Sequence, residues 1–415
     1  MTDQIIQRAT LLIEHKRFVE AERELRVLLA TEPNNAYALA LLGLSKTELG
    51  NHDEAVGYLK QALGHQPDNA YFLYLLGLVM LRKDNMKEAE RFLKSAISFD
   101  PHNANYFGTV ALIKLQDSQW ADALDYANRG LEVDPENLVC LNARSTALLK
   151  LDRKEESYQT IKEALHNDPH NSYTHANLGW GLLERSEYQK ALESFREALK
   201  LDPENDHAKA GLVEALKARY WFYRIFLKYS FWMSNKTAKY QWFIIIGLWF
   251  LIRFLDGLST SNPALAPFLS PIVYLYMAFA VSTWVLEPLS NLFLRLNVYG
   301  RYALSEEQIK ASTFTGAGLV ISIVGLLGFL TSDVRTFLYL AFYGLAIMIL
   351  CSSMYRAPAG RKRIIAMTFA LGLCAVGALF FLIEFTGGKA GLFLLVFAWG
   401  TVAYQIGINA LISSR

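Results

Sequence analysis

The sequence is poor in the residues that carry catalytic and metal chemistry. Its three cysteines, Cys140, Cys351 and Cys374, lie too far apart to form a metal motif or a disulfide framework. All eight histidines lie at or before His207, and none belongs to an HExxH pair. The chain also has no Walker loop and no GxSxG turn. We therefore expect no enzyme activity, no cofactor, and neither a catalytic nor a metal site.

An excess of one charge sign and an export signal are also missing. The net charge of +2 argues against a nucleic-acid-binding protein, which carries a concentrated basic face. Residues Met1–Thr10 contain no apolar signal core, so we expect the N-terminal half not to be exported. Charge is unevenly distributed, since Asp152–Glu163 is densely charged whereas Leu319–Leu330 has no charge. This contrast indicates two unlike halves.

Prolines recur in the first half with a fixed period of 34 residues. They are Pro33, Pro67, Pro101, Pro135, Pro169 and Pro203. A constant period of this length is typical of a helical repeat solenoid. Proline ends the second helix of each repeat, and the surrounding tails, such as "TEPNN" and "LDPEN", supply turn and capping residues.

Aligned on these prolines, residues 2–205 form six repeats that resemble the tetratricopeptide (TPR) family. Two helix-crossing positions of each repeat are small, for example Gly43 with Ala55 and Gly77 with Ala89. Residues Asp206–Leu216 look like a capping helix whose Leu212, Val213 and Leu216 cover the last repeat. The resemblance implies an all-α TPR solenoid over residues 1–217.

In this family, the first helix of each repeat lines a concave groove that binds a protein or peptide. The corresponding aromatic and amide residues are Tyr37, Tyr71, Tyr74, Asn105, Asn142, Tyr173, Asn177 and Trp180. The groove lacks the Lys and Arg set with which related domains hold a terminal carboxylate. An amphipathic helix or extended apolar peptide is the expected ligand. The alternative is that several of these side chains only pack between repeats.

Six apolar segments in residues 241–415 are each near the length required to cross a bilayer. They are 241–258, 264–286, 313–330, 336–354, 364–385 and 391–412. The fold class is therefore all-α, a solenoid followed by a six-helix transmembrane domain. The layout resembles that of bacterial multi-span membrane proteins with N-terminal TPR arrays.

Basic residues in the connections predict the orientation of these spans. One side carries fourteen, namely Lys217, Arg219, Arg224, Lys228, Lys236, Lys239, Arg295, Arg301, Lys310, Arg356, Arg361, Lys362, Arg363 and Arg415. The other side carries two, Arg335 and Lys389. We therefore expect both termini and the solenoid to be cytoplasmic, with a bacterial inner membrane as the expected location.

Two connecting segments have amphipathic patterns. Residues 218–240 mix aromatic and basic residues, which favours an interfacial linker at the headgroup layer in contact with membrane lipid. In the loop 287–312, Leu289, Leu292, Phe293 and Leu296 recur at helical spacing and predict a second surface helix. Ser305 followed by Gln308 predicts a capping box that opens a further helix.

A few polar and small residues stand out within the spans. Arg253 and Asp256 are three residues apart, which predicts an ion pair near the outer interface. Gln405 and Asn409 share a face of the last span, which predicts hydrogen bonds to a neighbouring helix. Gly318–Ser322 and Ala366–Ala370 have small-xxx-small spacing. Such pairs provide a route to homo- or hetero-oligomers in the membrane.

The leading functional hypothesis is a membrane-anchored TPR adaptor that binds a protein or peptide and holds it at the membrane. A transporter or channel subunit with a regulatory TPR domain is the first alternative, and it would require polar residues at the bilayer midplane. A membrane enzyme acting on lipid or peptide is the second, and it would require convergent catalytic side chains.

Overall fold

The computed structural model describes residues 2–296, 304–332 and 334–413. Within these ranges the chain forms twenty α-helices and no β-strand. The predicted all-α fold class is confirmed. The expectations that concern Arg301 and Arg415 fall outside the described residues.

Six helical hairpins follow the proline period. They are α1 Thr2–Glu14 with α2 Phe18–Thr31, α3 Ala36–Glu48 with α4 His52–His65, α5 Ala70–Arg82 with α6 Met86–Phe99, α7 Ala104–Gln116 with α8 Trp120–Val133, α9 Leu138–Lys150 with α10 Lys154–Asn167, and α11 Ser172–Glu184 with α12 Tyr188–Leu201. A thirteenth helix, α13, spans Asp206–Lys217. The predicted repeats and the extra helix are both present.

Small residues let the two helices of a hairpin approach closely. A Cβ added to Gly43 would lie 2.7 Å from Leu59 Cγ, and one added to Gly77 would lie 2.9 Å from Leu93 Cγ. Both distances are shorter than carbon atoms tolerate, so the side chain of the partner helix occupies the space above each glycine. The small-residue positions are therefore set by packing.

An asparagine opens the first helix of every repeat after the first, and also opens α13. Asn35, Asn69, Asn103, Asn137, Asn171 and Asn205 each accept a hydrogen bond from a backbone N–H two or three residues later, at 2.9 to 3.2 Å. These bonds satisfy amide groups that the helix itself leaves without acceptors. The capping role expected of the proline-containing tails is therefore present at each junction.

The turn inside each hairpin adopts a left-handed backbone conformation. Lys16, Gly50, Asp84, Ser118, Asp152 and Ser186 occupy equivalent repeat positions and have φ between 58° and 80°. Only one of the six is glycine, the residue that adopts this conformation without a steric cost. The other five turns carry local strain.

The chain forms two compact units. One comprises Met1–Gly181 with Lys200–Asp202, and the other comprises Leu182–Leu199 with Pro203–Arg415. The second unit therefore contains most of α12 and all of α13 together with the apolar C-terminal helices. The predicted domain boundaries near residues 217 and 240 stay predictions.

Helix α13 has two packing faces within the second unit. A Cβ added to its Gly211 would lie 2.2 Å from Phe195 Cε1, so α13 lies directly on α12. Its opposite face joins a cluster formed by Val213, Leu216, Leu294, Leu304 and Ile309. The expected capping helix therefore lies on the last repeat through Gly211, and its Val213 and Leu216 also pack against residues that flank the apolar helices.

The remaining helices belong to the second unit. They are α14 Trp221–Ser234, α15 Ala238–Ser261, α16 Ala266–Leu296, α17 Glu306–Ser332, α18 Arg335–Ser353, α19 Arg361–Phe385 and α20 Gly391–Ser413, with a 3₁₀ turn at Met354–Arg356 after α18. Each helix from α15 to α20 contains a stretch long and apolar enough to cross a membrane. The six predicted spans are thus present as helices.

A buried ionic cluster joins α13 to α14. Lys217 is 1% exposed, and its ammonium lies 2.9 Å from Glu214 Oε1. The Tyr223 hydroxyl donates to the other Glu214 oxygen at 2.5 Å. Burial and the Glu214 charge raise the pKa of Tyr223, so its hydroxyl stays protonated and remains a donor.

Helix α16 is longer than predicted. It continues through Pro288, and Leu289, Leu292 and Phe293 belong to its last turns instead of to a separate surface helix. The prediction failed because a proline removes only one backbone hydrogen bond, which packing can offset. Leu294 is 3% exposed and lies in the cluster with Val213, so tertiary contacts hold this end in place.

Helix α17 begins as expected. Gln308 N–H donates to Ser305 Oγ at 3.3 Å, and Ser305 N–H donates to Gln308 Oε1 at 2.9 Å. These reciprocal bonds form the predicted capping box.

The small-xxx-small pairs are used inside the molecule. A Cβ on Gly318 would lie 2.6 Å from Gly344 O, and Ser322 Oγ donates to Ala341 O at 3.0 Å, so α17 and α18 pack backbone to backbone. Ala366 and Ala370 are buried in a core with residues of α18 and α20. Both faces are therefore covered, and the prediction that they serve oligomerisation is wrong.

We predict that replacing Ser118 by glycine stabilises its hairpin. Relief of the left-handed strain should raise the local unfolding free energy by about 0.5–1 kcal/mol. The reverse change at the equivalent position, Gly50→Ser, should lower it by a similar amount in α3–α4. Hydrogen exchange of the full chain in detergent, followed by mass spectrometry, measures both. Slower exchange in Gly50→Ser would contradict the assignment of strain to these turns.

Candidate partner-binding groove

Two stacked tyrosines open a groove along the first helices of adjacent repeats. Tyr37 of α3 and Tyr71 of α5 have ring centroids 6.2 Å apart in a stacked arrangement. Tyr37 is 41% exposed, whereas Tyr71 is half-buried. Burial and the neighbouring tyrosine hydroxyls raise the pKa of Tyr71 to about 12, so its hydroxyl is a neutral hydrogen-bonding group at physiological pH.

An apolar cavity lies two helical turns further along the same two helices. It has a volume of about 300 Å³ and is lined by Leu44, Leu75, Leu78 and Leu81. Leu44 is seven residues beyond Tyr37, and Leu78 is seven beyond Tyr71, so each pair lies on one helix face. The tyrosines and the leucine cavity therefore form one continuous stripe.

The polar rim of this cavity is already neutralised. Arg82 Nη2 lies 3.6 Å from Glu48 Oε1 at its edge. An exposed pair of this kind contributes little stability but leaves no net charge at the rim. The cavity is therefore suited to an apolar side chain more than to a charged one.

Tyr74 has a packing role. Its ring lies 5.1 Å from that of Tyr106, which is 2% exposed, and it contacts three neighbouring core clusters. Burial raises its pKa above the ordinary tyrosine value. Among the predicted groove residues, Tyr74 thus belongs largely to the interior between repeats.

The predicted asparagines form hydrogen-bonded bridges between repeats. Asn142 is 4% exposed, its amide donates to Thr174 Oγ1 at 2.9 Å, and its carbonyl accepts from Asn177 at 2.8 Å. Exposed Asn105 accepts from Asn137 at 3.1 Å. Asn142 therefore supports the groove from beneath and does not face a ligand.

Two predicted aromatic residues lie on α11. Tyr173 is 47% exposed and Trp180 is partly buried, seven residues further along the helix. Their spacing matches that of Tyr37 and Leu44, so both lie on one helix face. They are three repeats away from α5 along the chain.

Two buried lysines were missed by sequence reasoning. Lys46 and Lys114 occupy equivalent positions 68 residues apart, and each pairs with a second-helix glutamate, Glu22 at 2.9 Å and Glu90 at 2.7 Å. The shared 68-residue spacing of the lysines and the glutamates is a signal that could have revealed them. Both ammonium groups are engaged within the solenoid, which is consistent with a groove that does not bind carboxylates.

The predicted intramembrane polar residues have local partners. Arg253 Nη1 lies 3.8 Å from Asp256 Oδ2 on the same helix. Gln405 is buried, and its amide nitrogen lies 3.3 Å from Ser353 Oγ on α18. The side chain of Asn409 is outside the described part of the chain. Gln405 thus joins two helices.

No group of three or more His, Cys, Asp or Glu side chains that could hold a metal ion occurs within the residues that the structure describes. The arrangement at the groove can bind by shape, apolar contact and hydrogen bonding.

Comparison with known proteins identifies the repeats. Models of the tetratricopeptide repeat match residues 46–113 and 172–205. The N-terminal region therefore contains tetratricopeptide repeats at these residues, within the stack of six helical hairpins. The comparison with curated proteins gave no match.

Several solved TPR structures are similar to part of this chain. PilF of Pseudomonas aeruginosa is 18% identical, and the match covers 50% of this chain and 95% of PilF with a TM-score of 0.43. A thermophilic TPR protein of Thermus thermophilus is 18% identical over 44% of this chain and 98% of its own, with a TM-score of 0.40. YrrB, described as a TPR protein with an unusual peptide-binding site, is 18% identical over 44% of this chain and 95% of its own, with a TM-score of 0.34.

We predict that Asn142→Ala destabilises the solenoid whereas Asn105→Ala does not. The first change removes the buried amide that bridges Thr174 and Asn177, at a cost of about 1–3 kcal/mol. The second removes one exposed bond, at a cost below about 0.5 kcal/mol. Hydrogen exchange of α9 and α11 in the full chain measures the difference. Equal protection in the two variants would show that the bridge at Asn142 does not stabilise the stack.

Proposed function

We propose that this chain is a non-catalytic, membrane-anchored adaptor whose TPR groove binds an apolar peptide or amphipathic helix on the cytoplasmic side. The observation that carries the proposal is the continuous stripe from the stacked Tyr37 and Tyr71 to the leucine cavity at Leu44 and Leu78. An exposed aromatic ring beside an apolar cavity is the arrangement in which a few residues supply most of the binding energy.

The six apolar helices support anchoring. Basic residues gather at alternate ends of these helices, as expected when those ends and the solenoid face the cytoplasm. A bacterial inner membrane fits this distribution. The adaptor would hold its bound partner at that surface.

Helix α14 supports attachment at the membrane surface. Trp221 and Ile225 are 72% and 58% exposed, and Lys228 is exposed on the same helix. A helix with exposed aromatic, aliphatic and basic side chains is stable at the headgroup layer. In this proposal α14 lies in that layer and keeps α13 close to it.

The groove is tested by the double variant Tyr37→Ala/Leu78→Ala. Loss of one anchor and one cavity wall should reduce co-purifying protein by about tenfold or more, since anchor residues commonly contribute about 2 kcal/mol or more. The matched control is Val27→Ala/Phe99→Ala, which removes exposed apolar side chains from second helices. Affinity purification from membranes in mild detergent, with quantitative mass spectrometry, gives the readout.

The two variants must first show the same helical circular dichroism as the parent chain. If the groove variant and the control then retain the same proteins in the same amounts, the groove is not the binding surface. Loss confined to the groove variant supports the adaptor.

A further inference from the structure

A polar cavity lies within the second unit, where α16, the start of α17, the 3₁₀ turn and the start of α19 meet. Its volume is about 410 Å³, and its lining includes Glu287, Asn291, Glu307, Tyr355, Arg356 and Arg363. This volume lies within the range of about 300–1,000 Å³ that is typical of small-molecule sites. The cavity is separate from the TPR groove and plays no part in the proposed adaptor function.

The cavity carries equal numbers of positive and negative groups. Arg356 Nη2 lies 3.0 Å from Glu287 Oε2, and Arg363 Nη1 lies 3.4 Å from Glu307 Oε1. All four side chains remain partly exposed. A ligand that carries one charge only would meet both attraction and repulsion here, whereas a zwitterion can place each charge beside its opposite.

One buried polar group in the cavity wall has no partner among the described residues. Asn291 is 4% exposed, and its Oδ1 accepts no hydrogen bond. A buried acceptor left unpaired costs about 1–3 kcal/mol. A ligand with N–H donors would satisfy it.

The position of the cavity along the helices favours a lipid. Its charged residues lie at the helix ends that carry Arg295, Lys310 and Arg361, the level at which phospholipid headgroups are expected. Directly after Arg363, Ile364 is 65% exposed on α19. An acyl chain along this apolar helix surface would leave its headgroup at the cavity.

We infer that the cavity binds the phosphoethanolamine headgroup of a zwitterionic phospholipid. The phosphate lies at Arg356 and Arg363, and the ammonium lies at Glu287, Glu307 and Asn291. A primary ammonium has three N–H donors for these oxygens, whereas the quaternary ammonium of a choline lipid has none and is recognised instead by aromatic cages. The cavity therefore prefers ethanolamine to choline.

Lipid competition on the full chain tests this preference. Native mass spectrometry of the detergent-solubilised protein is performed with equimolar phosphatidylethanolamine, phosphatidylcholine and phosphatidylglycerol of identical acyl chains. We expect about tenfold higher occupancy by the ethanolamine lipid, the effect of satisfying groups that choline leaves unpaired. Equal occupancy by all three lipids would overturn the inference. Soluble glycerophosphoethanolamine at the same concentration should not displace the lipid, and displacement would contradict a lipid source.

Variants locate the site. Asn291→Leu retains the side-chain volume but removes the acceptor, so it should abolish most of the ethanolamine preference. Arg363→Gln removes a phosphate contact that all three lipids share, so it should lower their total occupancy severalfold. The matched control is Arg361→Gln, a basic residue two positions away that does not line the cavity. If Arg361→Gln lowers the total lipid occupancy as far as Arg363→Gln does, binding reflects general surface charge, and the site assignment is wrong. If Asn291→Leu does not fold, Glu307→Gln, which removes one ammonium contact, tests the preference in its place, and an unchanged preference in that variant would contradict the inference.

Discussion

The connection between α13, the helix after the last repeat, and α14, the helix before the apolar spans, depends on the ionic cluster of Lys217, Glu214 and Tyr223. An ammonium that is 1% exposed is tolerated only while its carboxylate stays 2.9 Å away, because an unpaired buried charge costs several kcal/mol. Tyr223 satisfies the remaining carboxylate oxygen and ties α14 to the end of α13. Since Val213 also packs on Leu294, the helix that follows the last repeat is part of the same compact unit as the apolar helices.

Small residues allow close helix packing both in the repeats and among the apolar helices, and the proposed topology implies different driving forces in the two places. In the repeats, Gly43 admits Leu59 and the hairpin is stabilised by removing apolar surface from water. Gly318 and Gly344 bring the backbones of α17 and α18 together. In the proposed topology these helices lie in lipid, where burial of apolar surface offers no such gain. Close van der Waals contact and the Ser322 hydrogen bond supply the attraction instead. This helix face resembles a dimerisation motif in sequence, but it packs against another helix of the same chain.

Periodic and local features could be predicted from the sequence. The 34-residue period located all six hairpins, and the Ser305–Gln308 pair located the start of α17, because each signal depends on residues close together in the chain. Features that depend on distant partners could not be predicted. Three features require knowledge of which helices meet. They are the continuation of α16 through Pro288, the burial of Asn142 beneath the groove, and the cavity in which Glu287 pairs with Arg356. The left-handed turn at Ser118 could not be predicted, because serine, unlike glycine, is not typical of residues with a positive φ.

In the proposed topology, the solenoid and the basic helix ends share one side of the membrane. Single cysteines in a background lacking Cys140, Cys351 and Cys374 test this arrangement most directly. One cysteine replaces exposed Ser98 in α6, and another replaces Lys389 in the connection between α19 and α20. In intact spheroplasts, a membrane-impermeant maleimide should label position 389 and spare position 98, which becomes reactive only after permeabilisation. Labelling of position 98 before permeabilisation would show that the solenoid is not cytoplasmic.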